Sequence, residues 1–82
     1  MELKKFVKIR EEKFGAVIFD TLREKVFVTN ETGKDILNLL KDGKQIEEII
    51  DILKEKYEKN GDEIRIDVNK FISQLKENGI IT

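Results

Sequence analysis

The stretch that decides the fold is Lys25-Val26-Phe27-Val28-Thr29-Asn30-Glu31-Thr32-Gly33-Lys34-Asp35-Ile36-Leu37-Asn38-Leu39-Leu40. Its first five residues are rich in β-branched and aromatic side chains, which suit a pleated strand. From Asn30 the period changes. Ile36, Leu37, Leu39 and Leu40 recur at helical spacing, and Asn30 is a residue type that caps helix N-termini. The chain passes from sheet to helix at this point.

Upstream of Asn30 the pattern predicts three strands, near Lys5 to Arg10, Phe14 to Phe19 and Lys25 to Thr29, with the short link Asp20 to Glu24 closing a hairpin. Strands two and three are apolar at nearly every position, whereas a half-solvated antiparallel strand alternates. Helices can cover one face, and the apolar side chains left at the edge call for a partner or a turn of chain.

Downstream, helix one is expected to stop at Lys41-Asp42-Gly43, where Gly43 can take the left-handed cap conformation. Ile46, Ile49, Ile50, Leu53 and Tyr57 mark one face of helix two, with acidic residues and lysines on the other. Asn60-Gly61-Asp62 breaks that helix. Ile64 and Ile66 alternate around Arg65 as a short extended stretch, and Asp67 is expected to cap a third helix with core face Val68, Phe71, Ile72 and Leu75. Asn78-Gly79 ends it, and Ile80 and Ile81 fold back onto the core. The expected class is α+β: a three-stranded antiparallel sheet followed by three helices, a winged-helix-turn-helix-like arrangement forming one domain over residues 1–82.

A chain of 82 residues buries only roughly 60 to 65% of its unfolded surface. It has one thin core, and a ligand site should be a surface groove or a sheet edge. With 16 basic residues against 17 acidic ones, there is no large field to attract nucleic acid or anionic lipid. No segment approaches the roughly 20 apolar residues of a membrane span, and the first residues have no signal-peptide pattern. A soluble, cytoplasmic protein is expected.

Catalytic chemistry finds few footholds. Histidine and cysteine are absent, which removes imidazole bases, thiolate nucleophiles and zinc-finger ligands. The carboxylate pairs Glu11-Glu12, Glu47-Glu48 and Asp62-Glu63 sit in predicted turns or on polar helix faces, without the burial that separates the pKa values of a catalytic pair. The Asp62, Glu63 and Asp67 oxygens do not follow calcium-loop spacing. Ser73 has only Lys70 and Lys76 at helical spacing, a chance pattern on a solvated helix. The reading is a non-enzyme without metal or cofactor.

Residues Phe14 to Ile81 resemble the PqqD family, the leader-binding domains of pathways that modify ribosomally made peptides. The resemblance rests on Val28-Thr29-Asn30-Glu31-Thr32-Gly33-Lys34-Asp35-Ile36 at the first helix start and Leu39-Leu40-Lys41-Asp42-Gly43-Lys44-Gln45-Ile46-Glu47-Glu48-Ile49 at the following helix turn. It continues in Phe71, Leu75 and Gly79-Ile80-Ile81 at the close. Thr29 stands where the family usually has leucine, and Gln45 where it has threonine, a departure expected to cost helix two about 1 kcal/mol of capping.

The resemblance implies that a precursor's leader peptide adds as a strand along strand three, in a groove completed by helix three, for a partner modifying enzyme such as a radical SAM protein. Strand three supports this by itself, being apolar with none of the inward charge or proline that blunts an edge. The groove residues are expected to be Lys25, Val26, Phe27 and Val28 on the strand and Lys70, Phe71, Gln74 and Asn78 on the helix, with Asn69 and Ser73 as the alternative flank. Two rivals stand beside this reading. A winged-helix DNA-binding domain shares the architecture, but Asp67 and Glu77 accompany Lys70 and Lys76 on helix three. A homodimer through the open strand edge is compatible with peptide binding.

Overall fold

The computed structural model describes residues 1–82, in the order β1 (Val7–Glu12), β2 (Gly15–Asp20), β3 (Lys25–Asn30), α1 (Glu31–Lys41), α2 (Ile46–Tyr57) and α3 (Gly61–Glu77). The sheet is antiparallel in the order β1-β2-β3, which leaves β3 at an edge. This is the α+β, winged-helix-like arrangement that the change of period at Asn30 predicts, and Asn30 caps α1 by accepting the Gly33 N–H at 2.9 Å.

The sheet's two faces differ. Ala16 and Ile18 of β2 point into the core with Val7 and join Ile36, Leu37 and Leu40 of α1, Ile49, Ile50 and Leu53 of α2, and Ile64, Val68, Ile72 and Leu75 of α3. Ile80 and Ile81 close this core, held by an antiparallel bridge between Leu3 and Ile81 and by the Lys4 N–H donating to Ile80 O at 3.0 Å. The opposite face carries Val17, Phe19, Val26 and Val28. Arg10 lies over the Phe19 ring there, 5.5 Å from its centroid, while Val26 and Val28 remain 59% and 67% exposed.

Several boundaries depart from expectation. β1 begins at Val7 because the Val7 N–H donates to Lys4 O, which makes residues 4–7 a turn. There is no extended stretch at Ile64 and Ile66. α3 starts at Gly61, capped by Asn60, whose side chain accepts the Asp62 N–H at 2.7 Å. Ile64 then falls one helical turn before Val68 on the core face, Ile66 is left 66% exposed, and Asp67 lies inside the helix instead of capping it. At α2 the expected capping deficit is offset, since the Glu48 carboxylate accepts the Gln45 N–H at 3.1 Å, half of a capping box.

Two glycines allow backbones to approach. A Cβ on Gly33 would overlap the Thr29 hydroxyl, which fixes how closely the first turn of α1 lies against β3. Gly15, at φ +155°, opens β2, and a Cβ there would overlap the Thr29 carbonyl oxygen of the neighbouring strand. Backbone cannot yield as a flexible side chain can. Gly15→Ala is therefore expected to lower unfolding stability by at least about 2 kcal/mol, measured as a shift of the urea midpoint at unchanged m-value.

Candidate functional site

The parity of the backbone ladder decides what the β3 edge offers. In an antiparallel pair, opposed residues alternate between exchanging both hydrogen bonds and exchanging none. The Thr21 N–H donates to Phe6 O at 3.0 Å, so Phe6 and Thr21 belong to the bonded class. The register then assigns Lys8 with Phe19 and Arg10 with Val17 to the same class, and turns the backbone groups of Ala16, Ile18 and Asp20 toward β3. There they meet Thr29, Phe27 and Lys25. The N–H and C=O groups of Val26 and Val28 consequently point away from the sheet, and no backbone hydrogen bond outside the ladders involves either residue.

Beside this open edge runs a groove, with β3 on one side and α3 on the other. At the hairpin end a hollow is lined by Phe27, Val28 and Thr29 opposite Phe71, Gln74 and Asn78, with Ile18, Leu75 and Ile80 beneath. Toward the start of α1 it widens into a more polar depression bounded by Asn30, Thr32, Lys59, Asp67 and Lys70. Of the residues expected at the groove, Phe27, Val28, Lys70, Phe71, Gln74 and Asn78 line one hollow or both. Lys25 and Val26 line neither: Lys25 is exposed and Val26 faces outward beside Phe19. Asn69 and Ser73 also line neither, so the Lys70 and Gln74 flank of α3 is the one turned to β3.

Sequence reasoning missed Thr29, Asn30, Thr32, Lys59 and Asp67. Thr29 shares the face of Phe27 by simple alternation and was legible. Asn30 and Asp67 carried capping signals that concealed a lining role, and nothing marked Thr32 or Lys59.

The hairpin end of the groove is pinned by a buried charge. The Asp20 carboxylate, 1% exposed, accepts the N–H groups of Leu22 at 3.1 Å and Arg23 at 2.9 Å and the Arg23 guanidinium at 2.6 Å. Glu24, at φ +57°, completes the loop. Arg23 also donates to the Asn78 carbonyl at the end of α3, tying the β2–β3 turn to the helix across the groove. Burial works to raise the Asp20 pKa, but the Arg23 and Leu22 hydrogen bonds and the guanidinium charge outweigh it and the net shift is downward.

The family model for coenzyme PQQ synthesis protein D (PqqD) matches residues 15–81. The chain belongs to the PqqD family. No curated protein sequence matches this PqqD-family domain. Two solved structures share its fold. One is TbiB1 in complex with the TbiA(beta) leader peptide, at TM-score 0.91 and 22% identity, covering 99% of this chain and 94% of that one. The other is lasso peptide synthetase B1 complexed with the leader peptide, at TM-score 0.89 and 23% identity, covering 99% and 95% respectively.

The Asp20 pin makes a pH prediction for the PqqD-family domain. A carboxylate whose pKa is lower folded than unfolded stabilises the fold above its unfolded pKa, about 3.9, and loses that contribution as pH falls through the folded value. Thermal melts between pH 6 and pH 3, about the range in which aspartate titrates, should show a steeper fall in Tm for the parent than for Asp20→Asn, with the variant already less stable at neutral pH.

Proposed function

We propose that this domain holds the leader segment of a ribosomally made precursor peptide as a fourth strand on β3 and presents it to a separate modifying enzyme. The observation that carries the proposal is the pair of unused backbone positions at Val26 and Val28, open on the edge of an apolar strand and beside a groove. Strand addition satisfies those groups with peptide backbone, and side chains entering the groove supply selectivity. Membership of the PqqD family supports the reading, as do the leader complexes formed by the two proteins of like fold.

The domain's own role is binding, not chemistry. Glu47, Glu48, Asp62 and Glu63 are exposed, and Glu47 is engaged by Arg65 at 2.6 Å and 3.0 Å. The bond-making residues belong to the partner enzyme, of which a radical SAM protein is one class. A second copy of the chain is the competing occupant of the edge, and sedimentation with and without peptide reports it.

Ladder parity also fixes the test. Proline at Phe27 would remove a bond to β2 and damage the sheet, whereas proline at Val28 removes only an outward donor, as edge strands tolerate. Val28→Pro should keep the native amide spectrum outside β3 while weakening a leader peptide by at least about tenfold, measured by calorimetric titration with synthetic leaders from reading frames beside the gene. Unchanged affinity in a folded Val28→Pro variant would contradict strand addition.

A further inference from the structure

The sheet has a second open edge, on the strand farthest from β3. Phe6, Lys8, Arg10 and Glu12 are the residues that exchange backbone bonds with β2, so the N–H and C=O groups of Ile9 and Glu11 point away from the sheet. No hydrogen bond from elsewhere in the chain reaches those four groups. We infer that this edge is the seam of a weak homodimer, formed independently of any peptide on β3. Two copies of β1 pair antiparallel about a two-fold axis at Arg10, with Ile9 opposite Glu11 and Lys8 opposite Glu12 of the second copy.

The occupant and the register are read from the charges. A two-fold seam must be complementary to itself, and only a few registers bring the outward backbone groups together. An axis at Lys8 needs the Val7 N–H, which Lys4 O already accepts. An axis at Ile9 sets Lys8 against Arg10 twice, four cations on one face, and directly opposed like charges destabilise a strand pair. An axis at Glu11 opposes two carboxylates and runs the pairing into the Lys13-Phe14 turn.

The axis at Arg10 instead sets Lys8 against Glu12 twice, while each Ile9 exchanges both backbone bonds with a Glu11. Its one like-charged pair is Arg10 with its own copy. That guanidinium is already held along its own chain, 2.7 Å from one Glu12 oxygen and 5.5 Å from the Phe19 ring centroid. The other Glu12 oxygen has no partner within the chain and is free for Lys8 of the second copy. β3 offers no such selection, since Lys25 is its one charged residue.

Pairing at β1 makes a six-stranded sheet ordered β3-β2-β1-β1-β2-β3. Both β3 edges lie outermost, about 24 Å apart at a strand spacing of about 4.8 Å. Self-association and occupancy of β3 therefore do not compete, and one dimer carries two open β3 edges.

Sedimentation equilibrium of the full chain from micromolar to millimolar concentration tests the seam, with Lys8→Glu, Glu12→Lys and the double exchange. The expected result is a dimer that each single reversal weakens by at least about tenfold, because two pairs change sign, and that the double exchange restores to within about threefold of the parent. Amide exchange reads the same seam without substitution: raising the concentration should slow Ile9 and Glu11 and leave Lys8 and Arg10, already bonded to β2, unchanged. Folded Val28→Pro should dimerise as the parent does. A chain that stays monomeric at millimolar concentration, a dimer indifferent to both reversals, or a dimer lost in folded Val28→Pro overturns the inference. Failure of a leader peptide to bind β3 is read separately by calorimetry and leaves the seam standing.

Discussion

The proposed function of this domain rests on two edge-strand residues whose backbone is held in a sheet yet whose outward N–H and C=O groups have no partner. Val26 and Val28 sit on an edge strand between a hairpin and a helix start, so their outward N–H and C=O groups are fixed in direction. A fixed row of donors and acceptors costs an incoming strand less ordering entropy than a flexible one. It is also an aggregation hazard. The strand is short, with Glu24 and Lys25 at one end and the cap of α1 at the other, which leaves room for a brief pairing and discourages an extended one.

The rest of the molecule holds that edge at a set distance from α3. α1 is drawn close to β3 at Gly33 and Thr29, while α3 packs chiefly through α2 and the core, leaving a groove against β3. The Asp20–Arg23–Asn78 connection spans the groove at one end only. Burying the Asp20 carboxylate without partners would be costly; three donors satisfy it and make the loop geometry stiff. A surface ion pair such as Arg65 with Glu47 has no comparable role, because exposed pairs contribute little.

The sequence made the fold legible where periodicity was strong. The strand-to-helix switch at Asn30, the stop at Gly43 and the core faces of α1 and α2 all rest on spacing and caps. It failed at the start of α3, where Ile64, Arg65 and Ile66 satisfy both an alternating and a helical template and the length of the element decides. The groove was half legible. Apolar strand residues and one helix flank could be named, but which flank faces β3 depends on how α3 rolls against α2. Ladder parity lay beyond sequence altogether: hairpin register is set by turn geometry, and a slip of one residue would have exchanged the roles of Phe27 and Val28.

Amide hydrogen exchange tests the central claim most directly, because it reads individual backbone donors. In the free monomer the Val26 and Val28 amides should exchange quickly and the Phe27 amide slowly, despite their adjacency on one strand. Saturating leader peptide should slow Val26 and Val28 and leave Phe27 nearly unchanged. Val26 and Val28 amides as protected as Phe27 in the free monomer, or still unprotected in the complex, would contradict the account.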